Sequence, residues 1–163
     1  METKINPPVP VFVPYDTLSG RDRYIACYED AWHIAHGSLL GFRPDSCWRG
    51  AVLRAAEDPD SLAEMRVDGR FAGVLALDVR RGSFRSVGWI AFCYVVPELR
   101  GLGLGRKLID RAGEVFRSRG RSRLRLTVAP GNPALGFYEK IGFVRVGSEA
   151  GALEDLFVME QKL

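Results

Sequence analysis

Three glycines at alternate positions, Gly101, Gly103 and Gly105, stand between Arg100 and Arg106, and that spacing suits the binding of an anion. Without Cβ atoms the chain turns tightly and brings several N–H groups toward one point. A helix that begins there adds unsatisfied donors and the positive end of its dipole, so the fitting ligand is a phosphate or pyrophosphate. Arg100 and Arg106 flank the loop with guanidinium groups of the kind that bond phosphate oxygens. Two familiar phosphate loops do not match the spelling. No Lys-Ser or Lys-Thr follows Gly105, and Arg106 stands where a dinucleotide fingerprint requires glycine or alanine. The competing reading is a plain glycine turn ahead of an ordinary helix.

The elements around the loop decide what it can do. Residues 84–96 are strand-like and stop at Pro97, which supplies no ladder hydrogen bond. Beyond Gly105, Leu108, Ile109, Ala112, Val115 and Phe116 recur at three and four, which predicts a helix with one buried stripe ending before Gly120. Leu124, Leu126 and Val128 alternate with Arg123, Arg125 and Thr127, a strand buried on one face. Strand, helix and strand make one right-handed crossover, so strands four and five lie parallel. Upstream, Asp68-Gly69 and Arg81-Gly82 separate strand-like runs 62–67, 71–79 and 84–96 into an antiparallel meander. Two helices precede it, the first capped by Ser19 and ending near residues 37–41, the second opening at Pro44; residues 11–15 make a short edge strand. Downstream, Asn132 caps a helix that has Pro133 at its first position and Gly142 at its end. Residues 143–146 and 153–159 are two more strands, joined by a loop around Gly147, Ser148 and Gly151.

A chain of 163 residues has the length of one domain, here residues 1–163, and with 47% hydrophobic and 26% charged residues it can fill a core. No apolar run approaches the roughly 20 residues that a membrane span needs. The first 13 residues lack a secretory pattern, so a cytoplasmic protein with reduced thiols is expected, and Cys27, Cys47 and Cys93 suggest neither a disulfide framework nor a zinc knuckle. Net charge is only +3, yet the stretch 100–125 carries nine basic and two acidic residues, leaving the remainder acidic. That asymmetry suggests an anion-facing segment beside an acidic remainder. Nucleic-acid binding through the basic stretch lacks interleaved aromatics, since Phe116 belongs to the buried stripe.

Two stretches carry a more specific signal. Val95-Val96-Pro97-Glu98-Leu99-Arg100-Gly101-Leu102-Gly103-Leu104-Gly105-Arg106 and Asn132-Pro133-Ala134-Leu135-Gly136-Phe137-Tyr138-Glu139-Lys140-Ile141-Gly142-Phe143 resemble the two motifs of the GNAT superfamily of N-acetyltransferases, with one helix and one strand between them. The resemblance implies an α/β fold with a central mixed, mostly antiparallel, seven-stranded sheet, about four flanking helices, and strands four and five parallel and splayed. It implies acetyl-coenzyme A as acyl donor and no metal. The pyrophosphate would lie on the N–H groups of Gly101, Leu102, Gly103, Leu104, Gly105 and Arg106, with Arg100 beside them. Main-chain groups near Cys93, Tyr94 and Val95 would hold the pantetheine arm, Cys93 being a small packed residue and no nucleophile. Asn132 would touch the arm or simply cap its helix. Tyr138 matches the tyrosine that faces the coenzyme sulfur, where a phenol O–H can protonate a leaving thiolate.

The resemblance also implies direct transfer of acetyl to a primary amine in a ternary complex. An alkyl ammonium has a pKa near roughly 10 and must lose a proton before it attacks. Many members place an acid on strand four, but residues 88–96 contain no Asp or Glu, which leaves the base open. The acceptor pocket would be built from helices one and two and the last hairpin, with Glu29 and His33 as substrate-binding candidates and Asp30, Trp32, His36 and Glu149 nearby in sequence. His33 and His36 share a helical face, but two ligands without a third are a weak metal signal. The acidic remainder mildly favours a cationic amine, small or on a peptide or protein. The missing acid also motivates an alternative, a noncatalytic module that binds acyl-coenzyme A as a regulatory ligand. Acceptor identity, acyl length and oligomeric state, homodimer included, stay open.

Overall fold

A computed structural model describes residues 8–163; the reading of residues 1–7 as part of a leaderless start lies outside them. Seven strands form one sheet in the order β1-β2-β3-β4-β5-β7-β6. They are β1 (Val11–Pro14), β2 (Leu62–Val67), β3 (Arg70–Asp78), β4 (Val87–Val95), β5 (Arg123–Val128), β6 (Val144–Ala150) and β7 (Asp155–Lys162). The helices are α1 (Arg21–His36), α2 (Pro44–Glu57), α3 (Leu104–Ser118) and α4 (Ala134–Lys140). Every neighbouring pair is antiparallel except β4 and β5. The mixed, seven-stranded α/β architecture expected from the sequence is the one found. Among the described residues no helix is long and apolar enough to cross a membrane.

The sheet has two buried faces because β3 and β4 alternate. Leu75 and Leu77 join Leu104, Leu108, Ile109, Ala112, Val115 and Phe116 of α3 on one side. Val74 and Ala76 join Tyr24 and Cys27 of α1 and Ala51 of α2 on the other, as a period of two requires. Phe116 lies so close over Gly88 that a Cβ there would stand 2.2 Å from its Cγ. Glycine at position 88 is what lets α3 settle on β4.

The opening in the sheet has a local cause. β4 and β5 pair only at Val87, Gly88 and Trp89 with Arg123, Leu124 and Arg125. Immediately afterwards β4 bulges: Ala76 of β3 faces Phe92 and Leu77 faces Ile90, so Ala91 is the extra residue. A bulge bends its strand and increases its twist, and β4 runs on to Val95 without β5 beside it.

Several boundaries differ from expectation. α1 starts after Gly20, not Ser19, because the Ser19 hydroxyl turns back to Asp16 at 2.5 Å. After Gly82 the chain makes a 3-10 turn through Ser83–Arg85, with Ser86 left-handed, so β4 begins at Val87 and Phe84 is exposed. Gly147 sits inside β6 at a register shift rather than in a loop, and the tip of the last hairpin moves to residues 151–154. A glycine in a strand is as much a bulge signal as a turn signal.

Candidate active site

The glycine loop follows β4 and opens α3. Gly101 and Gly103 have φ of +78° and +81°, the left-handed region, while the space around both is open. Glycine is therefore required by the backbone rather than by crowding. Among the described residues the N–H groups of Gly101, Leu102, Gly103, Leu104, Gly105 and Arg106 find no carbonyl acceptor; the next one, on Lys107, bonds the Gly103 carbonyl at 3.3 Å. Unpartnered donors at a helix start are the chemistry that binds phosphate oxygens, and the loop fits the pyrophosphate of a coenzyme A.

The flanking arginines are engaged elsewhere. Arg100 donates through Nε to the Val95 carbonyl at 2.9 Å and through its terminal nitrogen to Asp30 at 3.0 Å. Arg106 donates to Asp110 one turn along α3 at 3.3 Å. Arg100 nevertheless lines the cleft beside Gly101 and Gly103, and it takes the Val95 carbonyl. Tyr94 sends its hydroxyl to Asp30 at 2.6 Å. That bond and the Arg100 guanidinium hold the Asp30 carboxyl below the usual carboxylate range. Lys140, at the end of α4 and inside the second motif, lines the cleft together with Arg100.

Under the loop lies a cleft of about 560 Å³, walled by Val95, Leu99, Leu104, Leu108 and Phe137 and reaching Cys93 and Tyr138. On the other side of the opening lies a second cleft of about 200 Å³, formed by Tyr28, Trp32 and His36 of α1, residues 90–93 of β4, residues 126–128 of β5, Asn132 and Leu156. Cys93 and Tyr138 line both. The two clefts thus meet at one pair of side chains, with the Cys93 sulfur 3.3 Å from the Tyr138 hydroxyl. Burial pushes the Tyr138 phenol well above its ordinary value, and the neighbouring thiol pushes the same way. Burial likewise raises the Cys93 thiol, which makes it a poor nucleophile. A protonated phenol between the clefts can donate to an anion formed there.

α4 begins at Ala134, one residue later than expected, with Pro133 at the cap position; Asn132 Oδ1 still accepts the Ala134 N–H at 2.9 Å, and Asn132 also lines the second cleft. Glu29 and His33 do not. They sit with Ala26, Asp30 and Leu39 around a separate depression, because Tyr28, Trp32 and His36, each four residues apart, take the face turned to the sheet opening. Glu149 is likewise elsewhere, paired with Arg81. The stripe of Tyr28, Trp32 and His36 was visible as i, i+4 spacing, but the choice of face was not. Among the described residues no carboxylate lines this second cleft. Many acidic residues outside the basic stretch form ion pairs, such as Asp58 with Arg119, Glu64 with Arg66 and Glu160 with Arg125, so the charge asymmetry says little about the acceptor.

Comparison with known proteins gives the family and the fold. Residues 19–143 match the family model of the acetyltransferase (GNAT) family. N-alpha-acetyltransferase 30 of Schizosaccharomyces pombe is 37% identical over 79 residues, 47% of this chain and 52% of that protein. The mycothiol acetyltransferase of Thermomonospora curvata is 33% identical over 124 residues, 72% of this chain and 41% of that protein. The chain spans about half the length, or less, of such relatives. The crystal structure of PaiA N-acetyltransferase from Thermoplasma acidophilum in complex with coenzyme A superposes with a TM-score of 0.71 over 95% of this chain and 99% of the other, at 18% identity.

Proposed function

The chain belongs to the GNAT acetyltransferase family, and from that premise we propose that it transfers acetyl from acetyl-coenzyme A to a primary amine by direct attack in a ternary complex. The observation that carries this reading is the meeting of the two clefts at Tyr138, one of them headed by six unpartnered N–H groups. The donor cleft takes the coenzyme, with the glycine loop on its pyrophosphate and Val95, Leu99 and Phe137 along its arm. The α1-side cleft takes the amine. When bound, the coenzyme supplies an activated acetyl thioester and a thiolate leaving group.

The chain's own residues do the rest. Tyr138 holds its proton at neutral pH because burial opposes the phenolate, and it gives that proton to the sulfur as the C–S bond breaks. Cys93 packs against it and forms no acyl intermediate. Tyr28, Trp32 and Phe92 line this cleft, Tyr28 and Phe92 packed on one another with ring centres 4.5 Å apart, so the acceptor is an amine on an apolar or aromatic body rather than a polycation. Phenethylamine is the simplest such probe.

Calorimetric titration with acetyl-coenzyme A, coenzyme A and a longer acyl-coenzyme A tests the donor cleft, followed by thiol release with phenethylamine. Binding of acetyl-coenzyme A with turnover is the expected result. Binding without turnover across a broad amine panel would mean a noncatalytic acyl-coenzyme A module, and no binding would reduce the loop to a structural turn.

A further inference from the structure

We propose that His36, held by Glu154, is the group that takes the proton from the acceptor amine. This rests on the amine cleft proposed above. The titratable groups facing that cleft are Tyr28, His36, Cys93 and Tyr138. Burial pushes Tyr28 up to about 12 and raises Cys93 and Tyr138 as well, so all three hold their protons at neutral pH. Imidazole is the one side chain whose ordinary titration lies close to neutrality.

Geometry gives the imidazole its direction. His36 Nδ1 stands 3.5 Å from Glu154 Oε1, and the His36 side chain is only 11% exposed. Glu154 reaches it from the tip of the β6–β7 hairpin, where its carbonyl accepts the Gly151 N–H at 3.0 Å. A carboxylate beside Nδ1 favours the tautomer with its proton there. Nε2 is then the lone-pair nitrogen; among the described residues neither ring nitrogen makes a hydrogen bond, and Nδ1 stands at ion-pair distance from Glu154. Trp32 packs against the ring at 4.6 Å between centres and fixes its plane. Among the described residues the charged side chain paired with the imidazole is Glu154.

The protons balance. Nε2 takes one proton from the ammonium, and the freed lone pair attacks the thioester carbon. Tyr138 gives its proton to the departing sulfur and recovers one from the nitrogen as the amide forms. His36 then releases its proton to water, so the net products are amide, thiol and one proton.

The test uses two amines on the whole chain. Phenethylamine is protonated at pH 7 and needs a base; aniline is neutral there and does not. Their kcat/KM values are measured from about pH 6 to about pH 9 in the wild type, His36→Gln and Glu154→Gln, with acetyl-coenzyme A binding by calorimetry as the control for folding. His36→Gln should lose about 100-fold on phenethylamine at pH 7, at least about tenfold more than it loses on aniline. Its phenethylamine profile should keep climbing with the fraction of free amine where the wild type levels off. Glu154→Gln should lose about tenfold on phenethylamine alone, as expected of a positioning residue.

Equal losses on both amines, or none on either, would overturn the assignment while leaving the acetyltransferase reading intact. A wild type that binds acetyl-coenzyme A but acetylates neither amine would overturn the amine cleft and this inference together.

Discussion

The cleft under the glycine loop is headed by main-chain donors, whereas the cleft on the α1 side draws its polar groups from side chains. The first is headed by consecutive N–H groups from one stretch of sequence, with φ of +78° and +81° at Gly101 and Gly103 setting their direction. The second is assembled from α1, β4, β5, α4 and β7, segments more than 100 residues apart. A main-chain site depends on backbone conformation and tolerates changes in side chains. A side-chain site depends on which face of a helix is turned inward. Substitutions should therefore separate the two clefts cleanly, one set changing coenzyme affinity and the other changing the use of the amine.

The largest expected effect is on the loop. In Gly103→Val a β-branched side chain must adopt a left-handed φ, which it rarely does, and the loop relaxes out of register with its ligand. Loss of two charge-assisted hydrogen bonds at roughly 1.5 kcal/mol each corresponds to about 100-fold or more in acetyl-coenzyme A affinity by calorimetry. The circular-dichroism melting profile should remain cooperative, since nothing packs against this position. If the variant binds normally, the main-chain account of the donor cleft fails.

Tyr138→Phe tests the junction. Loss of the phenol proton should lower kcat for phenethylamine by about 100-fold while acetyl-coenzyme A affinity changes by about threefold or less. An equal loss of affinity would move Tyr138 from the chemistry into the wall of the donor cleft. On the other side, Trp32→Ala should raise KM for phenethylamine about tenfold, the equivalent of 1.4 kcal/mol, with no change in coenzyme binding. The indole donates to the Leu40 carbonyl at 3.1 Å and stacks near His36 and Phe42, so it shapes the amine cleft alone. A fall in coenzyme affinity with Trp32→Ala would erase the distinction between the clefts.

The same distinction explains what was legible in the sequence. Gly101, Gly103 and Gly105 beside an apolar helical stripe are local signals, and both the crossover and the parallel β4–β5 pair follow from them. Asn132 before Pro133 located α4 and, with it, Tyr138. What sequence could not supply was orientation. Glu29 and His33 attract attention by residue type, yet the phase of α1 turns Tyr28, Trp32 and His36 to the opening instead. Glu154 becomes relevant only through tertiary proximity, since 118 positions separate it from His36. Arg100 and Arg106 stand out in the sequence by their charge, while the carboxylates they pair with, Asp30 and Asp110, are known only from the geometry.

The smallest effect expected is also the one that probes how the clefts communicate. Asp30 on α1 accepts from Tyr94 at the end of β4 and from Arg100 at the loop, so it is a direct tie between the acceptor helix and the donor loop. The Tyr94 hydroxyl, and after it Arg100, hold the Asp30 carboxyl below its ordinary value. A depressed folded value means that the ionised form favours folding: the contribution is fully present above the unfolded pKa of about 4 and is lost as pH falls through the folded value. Asp30→Asn should therefore melt slightly below the wild type at pH 7, and the two curves should converge under acid conditions. Because the tie is solvent-exposed, its worth is small, and acetyl-coenzyme A affinity should fall by only about two- to threefold. A melting gap that widens in acid would contradict the sign of the shift. A loss of affinity as large as that of Gly103→Val would mean that the loop is held by side chains after all.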